Sequence, residues 1–441
     1  MSLLKRTVFL IFLLALAPSY AWGKVYLDID TPTFQQFAVA IPDFQISSVK
    51  GQSKENDGPV ISDALSSYLK MTGFFNVLNK KAYPDDQKRL PEGSVGADFF
   101  ADWRIIGTEY LVKGSLQHQG SDLAIMDFRL YDVVKAELIL GKKYKGRRTD
   151  IALMTRTFAG EILLALTGDG GIFSTRIAFI MKKGKNSDLF SVNFDGSGLV
   201  REREGKNILM SPRWSPDGRY LSFTSFEEGN PDFFVKDMVN SSVAKISSFK
   251  GINLSGGWSP SGRKVLLTLS KDGNEEIYVL DFANHLLQRL TSSFSIDVSP
   301  VWSPDGGKIA FVSNRSGSPQ IYIMGADGSN VRRLTFEGNY NTSPAWSPKG
   351  DRIAYEGRVD GRFQILTIGV EGNNVKQLSF GNIESKSPSW SPEGRYITFS
   401  KDNGNKKKIY IMGANGANLR LLYEGKGDCV APSWSPRFKL E

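Results

Sequence analysis

The chain has 441 residues, 41% hydrophobic and 23% charged, with a formal net charge of +9. That is a globular composition, which excludes wholesale disorder and a multi-span membrane protein, and the length suggests two or three domains. One cysteine, Cys429, and two histidines, His118 and His285, exclude an intrachain disulfide framework and leave little for a Cys- or His-rich metal site.

The chain opens on Lys5 and Arg6, followed by the ten-residue apolar run Val8 to Ala17. Ser19-Tyr20-Ala21 and Ala21-Trp22-Gly23 are small-x-small cleavage candidates. Residues 1–23 therefore read as a secretory signal peptide, too short to span a bilayer as a stable helix. No cysteine follows the apolar run, so a lipid anchor is not expected. The mature chain is expected to begin at Trp22 or Lys24. In Lys24 to Thr33, Val25, Leu27 and Ile29 alternate with Tyr26, Asp28 and Asp30 until Pro32 stops the pattern. This is either a free strand that adds to a partner's sheet edge or the first strand of the domain that follows.

Residues 24–168 predict an α/β domain. Residues 37–41 read as a strand. A helix runs from Asp57 to Gly73, with Ile61, Ala64, Leu65, Tyr68 and Leu69 on one face. Phe74 to Leu78 is a second strand, and 110–116, 123–131 and 137–144 form an antiparallel meander. Thr149 is expected to cap a last helix, ended by Gly168. Asp169-Gly170-Gly171 is the expected hinge.

Residues 169–441 carry a repeat. Trp214, Trp258, Trp302, Trp346, Trp390 and Trp434 stand 44 residues apart, each followed by Ser-Pro. Alternating pairs such as Ile309/Phe311 mark a strand after each turn, and Ile321-Tyr322-Ile323 marks the next. Four short antiparallel strands per period make a propeller blade. Residues 176–180 match the strand after the Trp-Ser-Pro turn but lack the turn, while 432–436 supply a turn with nothing after it. Three N-terminal strands and one C-terminal strand thus complete a sixth blade, which removes an open edge. The tryptophans are expected to pack between blades. Asp195-Gly196, Asp217-Gly218, Asp305-Gly306 and Asp327-Gly328 read as turns, not calcium loops.

Chemistry is sparse. The chain has no GxSxG, no Walker loop, no GxGxxG after a strand and no HExxH. His118 and His285 are placed in hairpin turns, without a Ser/Asp pattern nearby, so no enzyme, cofactor or metal is expected. Carboxylate pairs at the channel mouth leave a hydrolase open, and a propeller that binds carbohydrate or peptide is the second alternative. Lys406-Lys407-Lys408 is the one dense basic run, placed in a hairpin turn; it reads as solvated, and with export expected, nucleic acid is not.

Taken together, an exported α/β domain and a six-bladed Trp-Ser-Pro-Asp-Gly propeller resemble the TolB family, periplasmic components of the Tol-Pal system of Gram-negative bacteria. The join carries most of the resemblance: Leu166-Thr167-Gly168, Phe173 and Thr175-Arg176-Ile177-Ala178-Phe179, with Phe128-Arg129-Leu130-Tyr131-Asp132 upstream. Arg156 and Gly160 depart from it, standing where the family often has His and Asp. The resemblance implies a non-enzymatic periplasmic monomer that binds the lipoprotein Pal through its propeller, with other outer-membrane proteins as further partners. It implies that the mature N-terminus, Lys24, Val25, Tyr26, Leu27, Asp28, Ile29 and Asp30, binds the C-terminal domain of TolA. The role implied is outer-membrane integrity and constriction at division.

Variable loops over a rigid repeat are where recognition concentrates. The six stretches leading into each Trp-Ser-Pro strand differ between blades. Among them Asn253, Asp297, Asn341, Thr342 and Ser385 are expected as polar contacts to Pal, with Ile252, Ile296 and Tyr340 as apolar anchors. Residues 171–441 hold 35 Lys/Arg against 27 Asp/Glu, a difference of +8 that should speed encounter with an acidic partner surface.

Overall fold

A computed structural model describes residues 36–48, 57–84, 97–120 and 122–438. The signal-peptide reading and the segment 24–33 lie outside them. The chain divides into two compact units, Met1–Gly170 and Gly171–Glu441.

The first unit is a mixed sheet with helices. Its strands are β1 (Phe37–Ala40), β2 (Gln45–Ser48), β3 (Phe75–Val77), β4 (Tyr110–Gln119), β5 (Leu123–Asp132) and β6 (Glu137–Arg147). They lie in the order β3-β1-β4-β5-β6, with β2 also on β4. β1 runs parallel to β3 and β4, and β4-β5-β6 is the antiparallel meander. Helix α1 (Asp57–Met71) buries Ile61, Leu65, Tyr68 and Leu69. After a short helix α2 (Ala101–Ile105), helix α3 (Ile151–Thr167) buries Met154, Phe158 and Ile162, and Phe158 stacks on Phe128 of β5 at 4.5 Å. Gly168 ends α3 in the left-handed region, at φ 76°, as helix ends commonly do.

Two local expectations are corrected here. Thr149 does not cap α3. It lies in the 3-10 turn Arg148–Asp150, where the Asp150 carboxylate accepts from the Arg147 N–H at 2.9 Å. His118 is not in a turn but inside β4, buried, with Nε2 3.1 Å from the Asp57 carboxylate at the start of α1.

The second unit is a six-bladed propeller. Five four-stranded sheets follow in chain order, and the sixth joins Asp428–Trp434 to Arg176–Lys183, Asn186–Asn193 and Val200–Arg203. The first strand of each blade touches the first strands of both neighbours, so these six strands line the central channel. Each bulges just before its Trp, and Ser211, Ser299, Ser343, Ser387 and Ala431 take positive φ there. The Trp-Ser-Pro turn is built by its own side chains. The Ser215 hydroxyl donates to Asp217 at 2.5 Å and accepts from the Tyr220 N–H at 2.8 Å.

The tryptophans do join blades. Trp258 packs on Phe233 and Val235 of the preceding blade, and its Nε1 donates to the Ser222 hydroxyl at 3.1 Å. Trp390 donates to the Ala345 carbonyl at 2.9 Å. At the closure Trp434 donates through its backbone N–H to Ser389 and through Nε1 to Thr175, both at 2.9 Å. Of the basic run, Lys407 and Lys408 belong to the strand Lys407–Gly413, and Lys408 pairs with Glu424 at 2.7 Å. Among the described residues no helix is long and apolar enough to cross a membrane, and no cluster of His, Cys, Asp or Glu could hold a metal.

Candidate functional site: the interblade-loop mouth

All six first strands run the same way along the channel, so their starts share one mouth and their Trp-Ser-Pro ends share the other. The residues opening these strands, Leu209, Asn253, Asp297, Asn341, Ser385 and Cys429, occupy one repeat position, and all six are buried. The polar ones face inward and hold the loops. Asn253 Oδ1 accepts from the Ser247 hydroxyl at 2.7 Å and the Phe249 N–H at 2.9 Å, while its Nδ2 donates to the Phe249 carbonyl at 2.7 Å. Asn341 donates to Gln320 and to the Glu337 carbonyl, both at 2.8 Å. Asp297 accepts from Arg315 at 2.7 Å, and burial pushes its pKa up. The Ser385 hydroxyl is buried with no hydrogen-bond partner among the described residues. Burial also raises the Cys429 thiol to about 11, so it stays protonated and inert.

A second set of buried side chains pins the loops from the third strand. Gln364 Oε1 accepts from Ser379 at 2.7 Å, and its Nε2 donates to the carbonyls of Gly381 at 3.0 Å and Ile383 at 3.1 Å. Gln320 accepts from Thr335 at 2.7 Å. Glu276, at the same repeat position, binds Arg289, Thr291 and the Ser293 N–H. The loops are thus fixed by internal bonds before any partner arrives.

Among polar neighbours, these pinned loops present a set of apolar side chains outward. Ile208, Phe249, Phe294, Ile296, Phe336, Tyr340, Phe380 and Ile383 are all exposed, Phe294 fully and Phe336 at 70%. They come from five of the six loops; the sixth, around Glu424 to Asp428, is polar. Cations stand among them. The Arg333 guanidinium lies 4.9 Å from the Phe336 ring centre. Tyr340 meets Phe363 edge-on at 5.4 Å, with Lys386 Nζ 4.5 Å over the same ring. A patch of this kind, rimmed by polar groups, suits a protein surface.

Of the residues expected from sequence, Ile296 and Tyr340 are exposed, and Ile252 and Thr342 are half-buried. Asn253, Asp297, Asn341 and Ser385 shape the mouth from beneath instead of lining its surface. Sequence reasoning missed Phe249, Phe294, Phe336 and Phe380. A signal for two of them existed: Phe336 and Phe380 each follow a buried Leu-Thr or Leu-Ser pair and precede a Gly-containing turn, where a strand has already ended.

Comparison with known proteins gives the following. Residues 164–438 match the family model of the TolB beta propeller domain, and residues 25–139 that of the TolB amino-terminal domain. The Tol-Pal system protein TolB of Syntrophus aciditrophicus is 49% identical over 216 residues, 48% of this chain and 47% of that protein. The protein of the same name from Desulfosudis oleivorans is 37% identical over 232 residues, 52% of each. The chain spans about half the length of the curated relatives it matches. The crystal structure of TolB from Acinetobacter baumannii superposes with a TM-score of 0.75 at 28% identity, over 91% of this chain and 97% of that one. With the propeller model covering more than half of its length, the chain belongs to the TolB family.

Proposed function

We propose that the protein is an exported, non-enzymatic component of the Tol-Pal system that works in the periplasm as a relay between two protein partners. The propeller binds the lipoprotein Pal at the interblade-loop mouth, and the mature N-terminal segment 24–33 binds the C-terminal domain of TolA by strand addition. The role that follows is maintenance of the outer membrane and its constriction at division. One observation carries the reading: the mouth holds exposed phenylalanines on loops already fixed by buried Asn, Gln and Glu side chains. Such a surface loses little conformational entropy on binding. Phe294, Ile296, Phe336, Tyr340 and Phe380 serve as anchors, and Asn253, Asp297, Asn341 and Ser385 hold the loops that carry them.

Calorimetric titration of Pal into the parent and into Phe294→Ser/Phe336→Ser/Phe380→Ser tests this. The triple variant removes exposed apolar surface only, so its thermal unfolding should match the parent while affinity falls at least 100-fold, as for hot-spot anchors. Unchanged affinity refutes the site. In a parallel arm, deletion of residues 24–33 should abolish binding of the TolA domain and leave Pal binding intact.

A further inference from the structure

The repeat exposes one departure from itself. Between the bulge and the Trp of each channel strand stands one residue per blade: Arg213, Gly257, Val301, Ala345, Ser389 and Ser433. All six line a cavity of about 400 Å³ at the Trp-Ser-Pro mouth, with the six tryptophans and a ring of prolines. This is the opposite end of the channel from the loops described above. Arg213 is the one charged residue in that lining. Its Nη1 donates to the Pro212 carbonyl at 3.0 Å, and among the described residues it has no ion pair. Burial alone pulls its pKa down, with no acid pulling it back.

Arg213 is half-buried, and a cation set among apolar walls with no acid beside it is placed to pair with an anion that enters the cavity. Its planar fork has five N–H donors, of which the Pro212 carbonyl takes one. The other five positions of the ring are small or short, which leaves the space in front of Arg213 open. Two of them are serines, and the Ser389 hydroxyl already accepts from the Trp434 N–H at 2.9 Å, so its own proton is left to donate. One cation, the hydroxyls of Ser389 and Ser433 beside those of the turn serines Ser215, Ser303, Ser391 and Ser435, and walls of Trp and Pro match a singly charged, planar acceptor on an apolar body. A phosphate dianion calls for more positive charge than this cavity holds.

We propose that the Trp-Ser-Pro mouth of the channel is a carboxylate-binding site, with Arg213 as the bidentate donor and Ser389 and Ser433 as hydroxyl donors. The carboxylate is that of a peptide, from an acidic side chain or from a free C-terminus. The site is independent of the partner-binding reading above.

The test titrates the full-length mature protein with sodium acetate against sodium chloride at equal ionic strength, read by tryptophan fluorescence, because the tryptophans line the cavity. Two further probes separate the sources: a Glu-containing peptide with an amidated C-terminus, and an alanine peptide with a free one. A saturable acetate response is expected, weakened at least tenfold in Arg213→Gln and less in Arg213→Lys, with one of the peptides binding more tightly than acetate. Acetate binding with both peptides excluded overturns the peptide source. Inorganic phosphate binding more tightly than acetate overturns the ligand class. No saturable response, or an equal response in Arg213→Gln, overturns the site. Should Arg213→Gln fail to fold by circular dichroism, the parent decides alone: its unfolding temperature must rise with acetate relative to chloride, since a ligand of the native state stabilises it, and equal unfolding temperatures refute the proposal.

Discussion

The buried ion pair between Lys236 and Glu202 lends itself to a quantitative perturbation. Lys236 belongs to the third strand of the first complete blade and Glu202 to the outer strand of the composite blade. Lys236 Nζ lies 2.7 Å from the Glu202 carboxylate and donates to the Glu202 carbonyl at 2.8 Å, with the side chains only 10% and 5% exposed. Lys236→Met keeps the bulk and removes the charge. Glu202 is then left buried with one remaining donor, the Ser191 hydroxyl at 2.6 Å. Stranding one member of a buried pair costs about 3–5 kcal/mol. In a unit of this size that lowers the unfolding temperature on the order of 10 °C. Replacing both, as Lys236→Met/Glu202→Leu, removes both desolvation penalties and should return stability to within about 1 kcal/mol of the parent. Arg219→Ala is the control: its pair with Asp237 spans 3.2 Å, but the arginine side chain is 54% exposed, so the cost should stay below about 1 kcal/mol. Tryptophan fluorescence during guanidinium unfolding reads the propeller, which holds six of the eight tryptophans. A Lys236→Met cost as small as that of Arg219→Ala refutes the reasoning, because the pair would then be as well solvated as a surface one.

Three further expectations concern the blades. Glu356 is buried and accepts from the Ser387 N–H of the next blade at 2.6 Å, and burial raises its pKa above the ordinary glutamate value. The folded state therefore holds the proton more tightly than the unfolded one, so this group's contribution to stability falls as pH rises from the ordinary value through the raised one. Glu356→Gln keeps the acceptor and removes the titration: denaturant melts from pH 5 to 8 should flatten, with the variant gaining stability chiefly at pH 8, and an unchanged pH slope rules the assignment out. Gly427 precedes the closing strand, and a Cβ there lands on the Lys182 carbonyl; Gly427→Ala should cost about 1–3 kcal/mol by prising that strand from its neighbour. Gly307→Ala, where Arg219, Arg263, Asp351 and Arg395 hold the equivalent places and only Asp305 is in ordinary contact, should cost less than about 0.5 kcal/mol in the same melts.

How much of this was legible in the sequence depends on the range of the interactions involved. The Trp spacing fixes the blade count because each Trp fills the same interblade gap, and the unpaired strand at 176–180 calls for the turn at 432–436 whatever lies between. The helix ended by Gly168 is equally local, since a left-handed residue after the last turn needs no tertiary partner. His118 escaped because the acid it meets, Asp57, lies 61 residues away on α1. The site escaped for a similar reason. Asn253, Asp297, Asn341 and Ser385 sit next to turns and look like surface residues, and their burial is decided by side chains elsewhere in the fold, such as Gln320 beneath Asn341 and Arg315 beside Asp297.

The same repeat that hides the site also gives the means to find it. A position that is polar and buried in several blades is holding the blade, whatever its distance from a turn. A position that is small in its neighbours and large or charged in one blade is where the repeat alone does not account for the side chain. Asn253 and Asn341 belong to the first kind, and their loss should be felt as loop disorder before it is felt as lost contact. Arg213, among Gly257, Val301, Ala345, Ser389 and Ser433, belongs to the second. The exposed Phe336 and Phe380, at equivalent places in two adjacent blades, are the corresponding feature of the other mouth: apolar surface left outside the propeller, which the partner proposed above would cover.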